Sequence, residues 1–482
     1  MQAVGIAAPN SFFMKPRYCL PLVVLLAACG VFPLRAAPTA PAVRVGAARV
    51  DITPEMPIRL AGYQSRQIET EKVETRLMAR ALAFGTNDRD TCVVITAEII
   101  GISEEISDAV AAALRAKHPQ LQRANVAICT THVHTGPAIA GILPFMYSAD
   151  LPADQVARIQ RYTEGMQAKL VEVGLAALAA RKPGKLGWTE GKVDFATHRR
   201  VIENGKWKGF GSSPDGPVDH ALPVLRATDE SGGVRAVLLN YACHCTTLGG
   251  GDNFVHSDWA GDAALRIEKA NPGAVALVAI GCGADANPNL RAVAGVAVNG
   301  EKVATEVGRL LSGSLRPLGP VTTATYRRAE LELGPLPTRE DLQARIAPGD
   351  RQKTVSYAAS KFLAQLDAGK PLPKTIPYPV QTWRFGRDLA MVFLAGEVVS
   401  EYSLRLKREL DGTRLWVNAY ANSVPTYVAS KRMFPEGGYE VDNSMNYYGW
   451  PTRLAIGTED HVISTVRSQL GADFNRPGSS SK

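Results

Sequence analysis

Cys129-Thr130-Thr131-His132-Val133-His134-Thr135-Gly136-Pro137 is where the chain shows both its architecture and its chemistry. The apolar run Val126 to Cys129 leads in as a buried strand would, and Gly136-Pro137 breaks it. His132 and His134 are two residues apart, so they project from one face if the strand persists through them. Two imidazoles at a strand's end suit a metal or an acid–base site. A hydrogen-bonded structural pair is the commoner reading of an isolated His-x-His, and the flanking chain has to decide between them.

Working outward, strands and helices alternate. Val43 to Ile52, Met78 to Phe84 and Cys92 to Ile100 read as strands, the last almost wholly apolar, as buried strands are. Ser103 is placed to N-cap a helix whose apolar positions are Ile106, Val110, Ala113 and Leu114, with His118-Pro119 ending it. Val156, Ile159, Tyr162, Met166, Leu170, Val173 and Ala177 step by three or four, giving an amphipathic helix that covers the sheet. Strands at Val234 to Tyr241, Ala274 to Ile280, Val321 to Leu333, Leu389 to Leu394 and Trp416 to Tyr420 follow, with helices near 260–270, 299–311, 399–410 and 458–470. The class is α/β, with mixed sheets and flanking helices.

Several strand ends carry polar residues. Val234 to Tyr241 runs into Ala242-Cys243-His244-Cys245-Thr246-Thr247, where His244 points away from the face its neighbouring cysteines share. Ala274 to Ile280 runs into Gly281-Cys282-Gly283-Ala284-Asp285-Ala286-Asn287-Pro288-Asn289, a loop at the sheet edge where open α/β folds carry ligands. It lacks both the GxGxxG spacing and a P-loop lysine, which excludes a nucleotide site. Leu389 to Leu394 delivers Gly396-Glu397 to a helix start, where a glutamate equally serves the helix's positive end. His198-Arg199-Arg200 reads as a solvated basic cluster, or as an arginine delivered into a cleft. Tyr427 to Ser430 is a short strand, and Tyr439-Glu440 with Asn443 to Tyr448 an aromatic loop.

The chain has 482 residues, 46% hydrophobic and 21% charged, enough for a large core. Met14-Lys15-Pro16-Arg17 followed by the apolar Cys19 to Ala28 has the form of a secretory signal, and residues 1–37 are set aside on that ground. Leu26-Ala27-Ala28-Cys29 has the form of a bacterial lipobox, which would leave Cys29 lipidated and the protein tethered to a membrane. Cleavage near Ala36-Ala37 is the competing choice. Either way the chain is expected to be exported, to the periplasm or a lipid anchor in the envelope. The formal charge of +8 falls to +5 without Lys15, Arg17 and Arg35, and no basic cluster interleaved with aromatics suggests nucleic acid. Cys92, Cys129, Cys243, Cys245 and Cys282 are odd in number and sit in apolar runs, as small hydrophobes rather than a disulfide framework. Residues 38–475 read as one catalytic domain, with a small subdomain at 320–375 containing the polar helical insertion 338–368.

Taken in order, five segments resemble the catalytic N-terminal domain of the neutral/alkaline (non-lysosomal) ceramidase family. They are Val45 to Pro54, Thr131 to Pro137, Asn240 to Thr247, Gly283 to Asn289, and Gly396-Glu397 with Tyr427 to Tyr439. The resemblance implies a zinc site of two His, a Glu and a Tyr, falling on His132, His244, Glu397 and Tyr427. It further implies active-site roles for His134, Arg199 and Tyr439, as donors to a developing oxyanion and to a leaving amine. Asp285 joins them as a candidate base. Two departures stand out. The family's Asp-x-Ser-Pro-Asn segment, whose Ser has been assigned as nucleophile, is Asp285-Ala286-Asn287-Pro288-Asn289, and the C-terminal domain of ceramidases is expected to be missing. The expected activity is therefore zinc-dependent hydrolysis of a small-molecule or lipid-like amide other than ceramide, with metal-activated water attacking directly. A metallo-esterase and a non-catalytic periplasmic metal- or ligand-binding protein are the alternatives.

Overall fold

A computed structural model describes residues 42–346 and 353–475. The signal segment, the lipobox at Cys29 and the Ala36-Ala37 site lie outside the described residues. β1 (Val43–Asp51), β2 (Met78–Gly85) and β3 (Cys92–Ala97) form an antiparallel meander. The helix α1 (Glu104–Lys117) then crosses back to β4 (Val126–Thr130), which pairs parallel with β3. Ser103 caps α1 by accepting the Ile106 amide at 3.4 Å, and Ile106, Val110 and Leu114 are buried beneath it. The stripe Ile159, Met166, Leu170, Val173 and Ala177 of α2 (Ala153–Ala179) joins the same core.

The chain continues through β5 (Lys182–Lys192), the hairpin β6 (Ala196–Glu203) and β7 (Lys206–Ser213), then β8 (Ala221–Asp229) and β9 (Val234–Tyr241). The helix α3 (Asp258–Ala270) leads to β10 (Val275–Ile280), parallel to β9. β11 (Ala286–Pro288) adds to β6, α4 (Val293–Leu311) follows, and β12 (Arg316–Leu318) pairs with β5. The large sheet has the order β10-β9-β8-β5-β1-β2-β3-β4, with β12 on β5. The helix α4 begins six residues before the expected 299. Its cap is Ala292, which offers no side-chain acceptor, so the sequence carries no start signal there.

A second sheet, of order β13-β14-β15-β17, is built from β13 (Thr323–Glu332), β14 (Thr375–Phe385), β15 (Leu389–Leu394) and β17 (Leu415–Asn418). Between β13 and β14 lie α5 (Arg339–Arg345) and α6 (Lys353–Asp367), with a small core of their own around Leu342, Ala358 and Phe362. The two-residue strands β16 (Glu397–Val398) and β18 (Tyr427–Val428) pair in parallel, with α7 (Ser400–Glu409) after β16. The short helices α8 (Met433–Glu436) and α9 (Ser444–Tyr447) precede α10 (Thr458–Leu470). The aromatic stretch expected as loop is thus a π turn over Tyr439–Asn443 running into α9.

The two sheets share an apolar layer. Trp383, Phe385, Phe393 and Trp416 pack with Phe84, Val94, Leu238 and Leu277. Their edges are also joined by backbone hydrogen bonds, Asn422 to the Ile128 carbonyl at 2.7 Å and Thr130 to the Tyr420 carbonyl at 3.1 Å. The carboxyl ends of β4, β9 and β15 meet along this seam, and the polar strand-end residues follow them.

All five cysteines of the described region are buried and free, as the apolar reading required. Burial pushes the Cys92 and Cys129 thiols up to about 12, so no reactive thiolate forms at neutral pH. A maleimide reagent should label none of the five in the folded protein and all five after denaturation, by peptide mass spectrometry; labelling of native Cys243 or Cys245 would contradict the packing around His244.

Candidate metal centre

The strand β4 does not persist through the His-x-His pair. It stops at Thr130, and His132 adopts a left-handed backbone at φ 54°, a strained conformation for a non-glycine residue and one that concentrates at functional sites. The two imidazoles therefore reach one site through a kink, and the common-face expectation is corrected. The cause is local pairing: Thr131 donates to the Ala97 carbonyl at 2.9 Å, Val133 bridges to Cys245 in parallel, and the chain must turn between them. That bridge also brings His134 beside His244.

Three imidazoles converge, and each is locked in the same way. Nδ1 of His132 lies 2.6 Å from the Ile100 carbonyl, that of His134 3.1 Å from Gly62, and that of His244 2.9 Å from Gly283. A carbonyl only accepts, so each Nδ1 carries the proton and each Nε2 turns its lone pair inward. The ligand atoms of His132, His134 and His244 lie within 4.8 Å of one another. Glu397 Oε2 is 3.0 Å from His132 Nε2 and 3.1 Å from His244 Nε2. Tyr427 Oη is 3.4 Å from His244 Nε2. Nε2 of His132 and of His134 are buried with no hydrogen-bond partner. Buried polar atoms are rarely left so, and a set of inward lone pairs beside a carboxylate fits a divalent cation. Nitrogen and oxygen donors of this kind suit zinc among other metals.

The electrostatics agree. Burial, then the neighbouring His132 and His244, hold His134 well below the ordinary imidazole range. Burial and the Arg199 guanidinium bring His244 down to about 4. His134 and His244 are thus neutral near pH 7, the form that binds metals. Burial works to raise the Glu397 carboxyl, yet His132 and His244, which face it, hold it well below the usual carboxylate range. Burial and Glu397 push the Tyr427 phenol well up, so Tyr427 would ligate as phenolate only under a cation's field.

Arg199 is buried, as is Arg200, so the basic cluster is not a solvated surface. β6 carries Arg199 into the site, where Nη2 donates to Tyr427 Oη at 3.1 Å and Nη1 lies 3.4 Å from His244 Nε2. Glu440 holds it from behind, accepting Arg199 Nε at 3.0 Å and bonding Arg200 with its other oxygen. Tyr439 stands edge-on to Tyr427 at 5.3 Å between ring centres. Asn287 Oδ1 accepts from Thr246 Oγ1 at 3.1 Å and from Arg199 Nη1 at 3.5 Å. His132, His134, Arg199, Asn287, Glu397, Tyr427 and Tyr439 all line one cavity of about 220 Å³, together with Tyr63, Gln64 and Arg291.

Asp285 is the candidate the structure sets apart. It is wholly buried, does not line the cavity, and its Oδ1 accepts the Ser400 amide at 2.8 Å and hydroxyl at 2.7 Å. Its carbonyl receives the Arg199 amide at 2.8 Å, so Asp285 acts on the site by holding the chain that bears Arg199. Oδ1 is held at the start of α7 and Oδ2 lies 3.4 Å from His198 Nδ1, and neither is among the groups lining the cavity.

Sequence reasoning passed over Glu440, which fixes Arg199, and Tyr448, whose hydroxyl donates to Glu397 Oε1. Both lie in the aromatic stretch, where nothing local marked an orientation. It also passed over Tyr63, Gln64 and Arg291, for which no spacing signal exists.

Residues 43–302 match the family described as neutral/alkaline non-lysosomal ceramidase, N-terminal. The fold is similar to the crystal structure of neutral ceramidase from Pseudomonas aeruginosa, with a TM-score of 0.66 at 18% identity, over 89% of this chain and 73% of that one. It is likewise similar to a ceramidase complexed with C2, with a TM-score of 0.65 at 18% identity, over 88% of this chain and 74% of that one. At such identity the likeness is one of fold.

Proposed function

The chain belongs to the neutral/alkaline non-lysosomal ceramidase family, and from that premise we propose that it is a zinc-dependent hydrolase of carbon–nitrogen amide bonds. The observation that carries the reading is the set of three imidazoles with inward Nε2 atoms beside Glu397, two of them without a partner. His132, His244, Glu397 and Tyr427 would hold the metal, with His134 beside them. Bound there, zinc would polarise an amide carbonyl and acidify water.

The chain's own residues supply the rest. The backbone carbonyls of Ile100, Gly62 and Gly283 keep the protons on the Nδ1 atoms, so the rings cannot rotate away. Arg199, held by Glu440, presents a fixed cation to negative charge developing on the carbonyl oxygen. Tyr439, whose phenol burial pushes up, keeps its proton at neutral pH and serves as a donor to the leaving amine. Asn287 stands where the family has serine. Its neutral amide cannot attack, so water attacks the carbonyl and Asn287 orients the substrate.

Ceramide is a poor fit. A cavity of about 220 Å³ bordered by Arg199, Arg291, Gln64, Asn287, His132 and His134 suits a compact polar amide more than two long alkyl chains. We place the enzyme outside the cytoplasm, in the periplasm or anchored through Cys29, on the strength of the leader alone. Two expected outcomes test the reaction. Metal-loaded protein should cleave members of a panel of short acylated amines and lose that activity to a chelator; an inert panel with zinc bound favours the binding-protein alternative, and cleavage of esters alone the esterase. Asn287→Ala should lose about tenfold, far less than removal of a histidine, and protein quenched during turnover should keep its unmodified mass. An acyl adduct would sink the direct attack by water.

A further inference from the structure

Arg291 sits on the wall of the same cavity. Its Nε donates to the Thr246 carbonyl at 2.8 Å and its Nη2 to Tyr63 Oη at 3.1 Å. Both acceptors are neutral, and among the described residues no carboxylate pairs with it. A guanidinium has five N–H donors in a planar fork, so two bonds fix its plane and leave Nη1 uncommitted. Tyr63, to which it is tied, reaches from Arg291 to the ring of His134, 5.0 Å between centroids. The cation is therefore one aromatic ring away from the metal centre.

The neighbouring polar groups point the same way. Thr246 is 3% exposed, and it positions two donors at once. Its carbonyl holds Arg291, and its hydroxyl donates to Asn287 Oδ1 at 3.1 Å. With Oδ1 so engaged, and receiving Arg199 as well, Asn287 presents its amide hydrogens away from those partners. Among the described residues the only carboxylate bordering the cavity is Glu397, already committed to His132, His244 and Tyr448. Arg291 and Asn287 thus bring donors and positive charge to the cavity lining.

We infer that Arg291 and Asn287 form an anion subsite, and that the substrate is an amide bearing a carboxylate or a comparable anionic group on one side of the scissile bond. The inference rests on the amide-hydrolase reading of the same cavity. Arg291 stands exposed at the rim of the cavity with neutral partners, so its charge is open to a bound anion. With one, it gains a charge-assisted pair of hydrogen bonds of the kind that gives planar, selective recognition.

The test uses zinc-loaded protein and two matched pairs of probes. N-acetylglycine against N-acetylglycinamide places the anion on the amine side, and N-methylsuccinamate against N-methylsuccinamide places it on the acyl side. Calorimetric binding should favour the acid of at least one pair by about tenfold or more, the return of one charge-assisted bond. That preference should vanish in Arg291→Gln, while its zinc content and unfolding midpoint stay unchanged. A carboxylate–zinc contact would give a preference that survives Arg291→Gln, so the variant tells the two sources apart. Equal binding of acids and amides, or a preference that survives Arg291→Gln, overturns the subsite. Turnover is read separately. A preserved preference without cleavage would sink the hydrolase reading and leave the subsite, and cleavage without preference would do the reverse.

Discussion

His132→Ala protein should fold, carry less than about a tenth of the zinc of the wild type, and cleave amides at least 100-fold more slowly. Even residues that only orient a metal ligand cost about 10–100-fold in metal affinity or activity when removed, and His132 does more than orient. It occupies the kink at φ 54°, supplies an inward Nε2, and faces Glu397 at 3.0 Å. Its loss also strips Glu397 of the partner that, after burial, governs its ionisation. Metal analysis and circular dichroism separate loss of the ligand from loss of the fold. Two companions identify the remaining ligands. The geometric cluster holds His132, His134 and His244, whereas the resemblance assigns His132, His244, Glu397 and Tyr427. Full zinc in His134→Gln with depleted zinc in Tyr427→Phe supports the assignment by resemblance, and the opposite pattern makes His134 the ligand. Wild-type zinc in His132→Ala would remove the centre altogether.

Much of this was legible in the sequence, and the physical reasons differ by element. Long periodic segments read well because burial of one face is their whole logic. The stripe of α2 is buried from Ile159 to Ala177, although Val156, read as its first member, is exposed, and β15 spans Leu389–Leu394 with every side chain buried. Boundaries failed where no capping residue marks them, as at Ala292 before α4. The site's members could be named because they stand at strand ends, and strand ends meet at a sheet's edge. How they meet was not legible. The kink at His132 comes from hydrogen bonds to Ala97 and a bridge to Cys245, partners distant in sequence. The burial of Arg199 and Arg200 depended on Glu440, over two hundred residues away, and local polarity alone argued for solvent. The place of Asp285 outside the cavity lining was hidden for the same kind of reason, since its Oδ1 is bound by Ser400, far along the chain.

Glu440→Ala should be the most destabilising single change near the site, by about 3–5 kcal/mol, as befits an ion cluster deprived of one buried member. Glu440 is 1% exposed, and the two guanidiniums it separates, Arg199 and Arg200, are 5% and 1% exposed. One oxygen takes Arg199 at 3.0 Å and the other takes Arg200. Arg200 keeps Glu436 at 3.0 Å and the Gly437 carbonyl at 2.9 Å, but among the described residues Arg199 pairs with no second carboxylate. The charge left uncompensated is therefore the one beside His244 and Tyr427. Denaturant unfolding should show a lower midpoint at unchanged slope, the mark of lost stability rather than a changed unfolded state. Activity should fall further than the folded fraction does, since Arg199 loses the anchor that aims it. Arg200→Met supplies the control. Glu440 then still holds Arg199, so this variant should lose stability while keeping most of its turnover per folded molecule. If Glu440→Ala unfolds within about 0.5 kcal/mol of the wild type, in the range of ordinary surface substitutions, the cluster is not the support for Arg199. If Arg200→Met loses as much turnover as Glu440→Ala, the two arginines act as one unit and Arg199 has no separate part in the chemistry.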